Sequence, residues 1–96
     1  MKAANITLHV FYNRQEAFNA LKDLMQYFPT ANHQLNPLYV GLGEHGCLFM
    51  TMDDIEEHKI SGMEFVAFVL HDRVKQVMDS SSVAYIKSRL TKRDVR

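Results

Sequence analysis

The stretch GMEFVAFVL, residues 62–70, contains six consecutive apolar residues, from Phe65 to Leu70. Successive side chains of a strand point to opposite faces of a sheet, so an uninterrupted apolar run predicts a strand that is covered on both faces. The short length of the run, and its phenylalanines and valines, favour a strand over a helix. We therefore predict that residues 63–71 form the central strand of a small sheet, around which the rest of the chain is organised.

Two elements precede this strand near the start of the chain. Residues 5–12, NITLHVFY, alternate between the two faces of a strand that is buried on one side. Asn13 follows, and Glu16 stands three residues later, which is the pattern of a helix start. Apolar residues then recur at helical spacing up to Pro29, where the helix must end. They are Ala17, Phe18, Leu21, Leu24, Met25 and Phe28.

Shorter elements fill the middle and the end of the chain. Residues 30–37, TANHQLNP, are polar and predict a surface connection. Residues 38–42 and 47–52 predict two strands, joined by a hairpin turn at residues 43–46. Residues 54–59 predict a short helix capped by Asp53, and Asp72 is expected to cap another helix after the apolar run. Three serines at 80–82 either interrupt that helix or lie within it. Residues 83–90 favour a helix, with an edge strand as the alternative.

The resulting order is similar to the split βαβ arrangement of ferredoxin-like domains, βαββαβ, with a helix added at the C-terminus. This resemblance concerns the order of elements only and implies no function. The expected fold is a two-layer α+β sandwich, with a four-stranded, mainly antiparallel sheet and its helices on one face. Residues 1–91 form the expected single domain, and residues 92–96 form a basic tail.

Composition narrows the class of protein. A chain of 96 residues can bury one core, and 47% hydrophobic residues are typical of a globular protein. Six Phe, four Tyr and six Met are more than such a core needs, so part of this apolar surface is expected to meet another chain. Cys47 is the only cysteine, which favours a reducing compartment. No segment has the length of a membrane span or the pattern of a signal sequence, so we expect a cytoplasmic protein.

The net charge of zero hides a division along the chain. Residues 44–72 carry one lysine against seven acids, which gives −6, and residues 73–96 carry seven bases against two acids, which gives +5. Such segments can attract oppositely charged partners. The predicted contact surface therefore combines the acidic hairpin-to-helix region with the basic end. Its residues are Glu44, Asp53, Asp54, Glu56, Glu57, Lys87, Arg89, Lys92 and Arg93.

Candidate chemistry is weak. Glu44, His45 and Cys47 are close in sequence, but a structural zinc site usually shows paired ligands at tight spacing, and no such pair is present. Cys47 stands at the start of a strand, where no local feature would lower the pKa of its thiol. The glycines at 41 and 43 lead into a strand rather than into a helix that could hold a phosphate. We predict no catalytic residue, no metal and no cofactor.

The expected function is that of a non-enzymatic protein–protein interaction module, such as a small regulator, adaptor or inhibitor. Small chains without an active-site signature are common in phages and other mobile elements, which is an analogy of size. A homodimer is expected, because an apolar-rich sheet with an edge strand, either residues 38–42 or the first strand, invites pairing.

Two alternatives remain open. The first is nucleic-acid binding by the basic C-terminal segment, with Tyr85 stacking on a base. The second is a ligand-binding or enzymatic ferredoxin-like domain that uses a cleft beside the central strand, with His9 and His71 as its polar groups. A closed apolar core around His9 would remove this second alternative.

Overall fold

The computed structural model describes residues 5–35 and 37–91, which form a small α+β fold with a mixed five-stranded sheet. None of the helices in these ranges has the length and apolar character that a membrane span requires. The elements of the described residues, in chain order, are β1 (Asn5–Phe11), α1 (Arg14–Tyr27), β2 (Asn32–Leu35), β3 (Leu38–Leu42), β4 (His45–Thr51), α2 (Met52–Glu56), β5 (Ala67–Leu70), α3 (Asp72–Val77) and α4 (Ser80–Ser88).

The strand order in the sheet is β2-β3-β4-β1-β5. β1 pairs in parallel with β4 on one side and with β5 on the other, whereas β2, β3 and β4 pair antiparallel. The predicted four-stranded, mainly antiparallel ferredoxin-like sheet is therefore wrong in strand number, order and direction. The α+β class is confirmed.

Helices cover both faces of the sheet, not one as predicted. On the first face, which we call the three-helix face, Leu8 and Val10 of β1 are fully buried in a core shared with α2, α3 and α4. On the second, which we call the α1 face, a smaller core joins Ala17 and Leu21 of α1 to β3 and β4. Parallel strands need crossover connections that run over a face, and these connections supply the covering helices.

The apolar run at 65–70 does not form the central strand. Its strand is only Ala67–Leu70, and it lies at one edge of the sheet beside β1. Phe65 is buried, but its backbone pairs with Leu90 in a single parallel bridge instead of joining the strand. Ala67 and Val69 are exposed on the α1 face, so the run is apolar on both faces without being covered on both. β1, predicted as a half-buried strand, has a strand on each side.

The edge strands also differ from the prediction. Residues 32–35, within the predicted polar connection, form β2, whose four residues are all exposed and which completes the far edge of the sheet. The strands expected to invite pairing, residues 38–42 and the first strand, both have neighbours on either side.

The helix starts follow the capping residues of the sequence. The Asn13 side chain accepts a hydrogen bond from the Glu16 backbone N–H at 2.9 Å, as the sequence pattern predicts. α2 begins earlier than predicted, because Thr51 and Asp54 form its capping box and Asp53 lies inside it. The serine segment starts a separate helix, since Asp79 accepts from the Ser82 backbone N–H at 2.9 Å and caps α4. The helix favoured for residues 83–90 is confirmed over most of its length.

Candidate binding cleft

α1 is the only helix that packs on its face of the sheet within the described ranges, and it lies mainly over β4, β3 and β1. A helix is about 10 Å wide and strands are about 4.8 Å apart, so one helix covers roughly half of a five-stranded sheet. The uncovered part of this face includes β5, where Val69 is 39% exposed. This arrangement leaves a cleft between α1 and the open part of the sheet.

The cleft has a volume of about 330 Å³ and its lining is almost entirely apolar. Its floor is formed by β1 and β4, one wall by α1, and the opposite wall by the residue that follows β5. We call it the apolar cleft. Its residues are His9, Phe11, Ala20, Asp23, Leu24, Tyr27, Cys47, Phe49 and His71. A volume of this size is at the lower end of the range for small-molecule sites.

Sheet topology explains the position of the cleft. The helix that follows β1 lies on the α1 face, whereas the helices that follow β4 and β5 lie on the three-helix face. Where neighbouring parallel strands send their connections to opposite faces, a crevice opens at their carboxyl ends. Phe11 ends β1 and His71 directly follows β5, so both cleft residues stand at this point of the sheet.

Four aromatic rings form a continuous group in the cleft. Phe11 and His71 stack with ring centroids 4.1 Å apart and an angle of 10° between the planes. Phe49 lies 5.3 Å from Phe11 and 5.2 Å from His9, tilted in both cases. Each ring contacts at least two of the other three, so these contacts restrict the orientation of all four rings.

The two histidines form a hydrogen bond with each other. His9 Nδ1 and His71 Nε2 are 3.0 Å apart, so one ring donates and the other accepts. Burial, and then the charge of a protonated His71, lower the pKa of His9 to about 4. Burial also lowers the pKa of His71. Both imidazoles are therefore neutral at pH 7, and the pair presents no charge to a molecule in the cleft.

The remaining polar atom on the cleft floor is the thiol of Cys47. Burial raises the pKa of Cys47, so the protonated form dominates at neutral pH. The thiolate is the nucleophilic form of cysteine, so an environment that favours the protonated thiol disfavours nucleophilic catalysis by Cys47. A thiol of this kind packs as a small apolar group.

A second, more polar depression of about 420 Å³ adjoins the apolar cleft and shares Phe11, Ala20, Asp23 and His71 with it. We call it the acidic basin, because it adds Glu16, Asn19, Asp72 and Arg73 to these four residues. The Arg73 guanidinium donates to Glu16 Oε2 at 2.7 Å and lies over the Tyr12 ring at 3.9 Å. This ion pair joins the first turns of α1 and α3 and holds the rim of the basin together.

Four of the predicted acidic contact residues lie in or directly after α2, whereas Glu44 lies at the other end of β4. Glu44 precedes β4 and Asp53 follows it, and seven residues of strand separate the two ends by about 20 Å. Lys59 lies 3.2 Å from Asp54 and 3.4 Å from Glu57, so part of the acidic charge on α2 is already paired.

The basic residues that the structure describes lie at the C-terminal end of α4. Lys87 is in α4 and Arg89 ends it, where its carbonyl accepts from the Phe65 backbone N–H. Tyr85 stacks on His58 and shares a 2.8 Å hydrogen bond with Ser61, so its ring already has an aromatic partner. The predicted contacts Lys92 and Arg93, like the predicted tail at 92–96, fall outside the described residues.

Sequence reasoning named His9 and His71 as the polar groups of a cleft, and the structure places them in contact across 62 positions of sequence. The wall formed by Ala20, Asp23 and Tyr27 was missed. Its one sequence signal is the small Ala20 beside the predicted apolar stripe of α1, which leaves space above the sheet.

No group of three His, Cys, Asp or Glu side chains within residues 5–35 and 37–91 has the geometry to hold a metal ion. Comparisons with protein-family models, with curated proteins and with solved structures find no match.

Proposed function

We propose that this protein is a non-enzymatic interaction module, a small regulator, adaptor or inhibitor, and that it binds an apolar side chain of a partner protein in the apolar cleft. The observation that carries the proposal is an open, apolar depression between α1 and the strands β1 and β4. Exposed apolar clefts of this kind mark binding sites, because their burial by a partner releases water.

The state of the titratable groups supports binding rather than catalysis. A general base works best when its pKa is near the operating pH, and the pKa of His9 at about 4 makes it a weak base. The Cys47 thiol is held in its unreactive form. Neutral, mutually hydrogen-bonded imidazoles suit a surface that loses water when a partner binds. The proposal includes a reducing, cytoplasmic site of action, for which the single free Cys47 is the support.

The test uses p-cresol, which has the shape of a tyrosine side chain, as a probe of the cleft. In ¹H–¹⁵N spectra of the labelled protein, we expect saturable shifts of the cleft amides with a dissociation constant on the order of millimolar. Ala20→Leu fills the cleft from its α1 wall and should weaken binding about fivefold or more. Ala84→Leu makes the same change at an exposed position of α4 and should leave binding unchanged. Shifts outside the cleft, or equal affinity of both variants, would contradict the proposal.

Self-association is a second proposal, and the exposed edge strand β2 supports it. All four residues of β2 are exposed, and Leu35 is 51% exposed. An edge strand with an exposed apolar side chain is a template for pairing with another copy. Sedimentation should show a dimer in the wild type, and His33→Pro, which introduces a proline into β2, should shift it to monomer. A monomer at millimolar concentration would exclude pairing through β2.

A further inference from the structure

The acidic basin gives the apolar cleft a charged neighbour. Glu16, Asp23 and Asp72 supply three carboxylates, and Arg73 supplies one guanidinium, already paired with Glu16. Lys75 lies about one turn further along α3 and is close enough to influence the pKa of His71. Even when it is counted, three acids face two bases, so the basin keeps an excess of negative charge.

The excess charge belongs to side chains that are accessible. Asp23 and Asp72 are exposed, and neither forms an ion pair in the described part of the chain. His71, which separates the basin from the floor of the cleft, is neutral at pH 7 and does not offset them. A partner that enters the cleft therefore meets uncompensated carboxylates along one rim.

From this charge distribution we infer that the partner is a protein segment in which an apolar side chain is flanked by arginine or lysine, the apolar group filling the cleft and the cation meeting Asp23 and Asp72. The inference rests on the proposed function and adds the chemistry of the partner. Because the cleft and the basin share four residues, the two subsites are adjacent. A cation one or two positions from the anchor reaches the basin, since an extended chain advances about 3.3 Å per residue.

The electrostatic part of this recognition should be modest and sensitive to salt. Exposed ion pairs contribute little individually, so two of them correspond to an affinity gain of about three- to tenfold. At 0.3 M salt such charges are screened more strongly than at 0.05 M, and the gain should fall below about twofold. The apolar contribution should persist, because burial of apolar surface does not depend on screening.

The experiment compares three seven-residue peptides with a central phenylalanine flanked on both sides by arginine, by serine or by glutamate. Each is titrated into the ¹⁵N-labelled full chain at the two salt concentrations, and the cleft amides report binding. At low salt the arginine peptide should bind about three- to tenfold more tightly than the serine peptide, and the glutamate peptide more weakly. Asp23→Asn combined with Asp72→Asn should remove the advantage. Glu64→Gln, which neutralises an exposed acid outside the cleft and the basin, should keep it.

The outcomes separate this inference from the proposed function. If the serine peptide saturates the cleft and the arginine peptide binds no more tightly, the inferred basic partner is wrong and the proposed apolar binding site is supported. The same conclusion follows if the double variant still binds the arginine peptide more tightly than the serine peptide. If none of the peptides shifts the cleft amides, both fail. If the same amides shift with protein concentration in the absence of peptide, the occupant is a second copy of this chain and the basic segment is overturned.

Discussion

The His9–His71 pair predicts how the stability of this protein depends on pH. The pKa of His9 is about 4 in the folded chain against about 6.5 when unfolded, so between these values the unfolded state binds more protons. The free energy of unfolding should therefore fall as the pH falls from 6.5 towards 4. Above pH 6.5 the contribution is fully present, because the imidazole is neutral in both states.

The size of this effect follows from the burial of the ring. The difference between these two pKa values of His9 corresponds to about 3 kcal/mol in the free energy of unfolding if the ring is fully buried. His9 is only half-buried in an open cleft, and water screens part of the penalty, so we expect about 1–2 kcal/mol. Protonation also breaks the 3.0 Å hydrogen bond whenever His71 is charged as well, which acts in the same direction.

The assay is urea unfolding of the wild type and of His9→Gln at several pH values between 4.5 and 7.5. Glutamine keeps a polar side chain but does not titrate. As the pH falls from 7.5 to 4.5, the free energy of unfolding of the variant should therefore decrease by about 1–2 kcal/mol less than that of the wild type. His33→Gln removes an exposed histidine of β2 and should follow the wild type. The reasoning is refuted if His9→Gln keeps the wild-type slope, or if His33→Gln flattens it as much.

Three further substitutions test the local structure. Gly46→Ala should cost about 1–3 kcal/mol, because a Cβ there would lie 2.7 Å from a ring carbon of Tyr39, and adding Tyr39→Leu should recover part of the loss. His58 has a φ of +59° at the end of α2, so His58→Gly should be about 1 kcal/mol more stable than His58→Ala. Thr51→Val removes the side chain that accepts from the Asp54 backbone N–H and should cost about 1 kcal/mol. Thermal unfolding measures all three, and unchanged midpoints would contradict the geometry.

The elements that could be predicted from sequence are those specified by local signals. β1 alternates with period two, and α1 has its cap at Asn13 and its apolar stripe within one segment. β2 has no such signal, because its four residues are polar or exposed, and its strand conformation comes from pairing with β3. A strand that is exposed on both faces needs no alternation of apolar and polar residues, so this pairing leaves no periodic trace in the sequence.

The misplacement of the apolar run 65–70 has a physical reason that bears on function. A continuous apolar strand indicates that neither face is polar, but it does not indicate what covers each face. Phe68 and Leu70 pack on the three-helix core, whereas Ala67 and Val69 face the half of the sheet that α1 leaves open. The sequence of the run is therefore that of a buried strand, because its uncovered face is apolar as well as its covered one. The uncovered face lies beside the cleft.

The hydrogen bond between the two histidines explains how a polar pair is compatible with the proposed binding of an apolar side chain in the cleft. A partner that closes the cleft removes water from His9 and His71, and an unpaired polar group would then oppose binding by about 1–3 kcal/mol. Two of the four ring nitrogens already satisfy each other, and the low pKa of His9 keeps its ring uncharged. The charged groups, Asp23 and Asp72, lie instead on the exposed rim, where they can stay hydrated or pair with a cation. This division between a neutral interior and a charged rim suits the proposed contact with a partner protein, because it would lower the cost of covering the cleft.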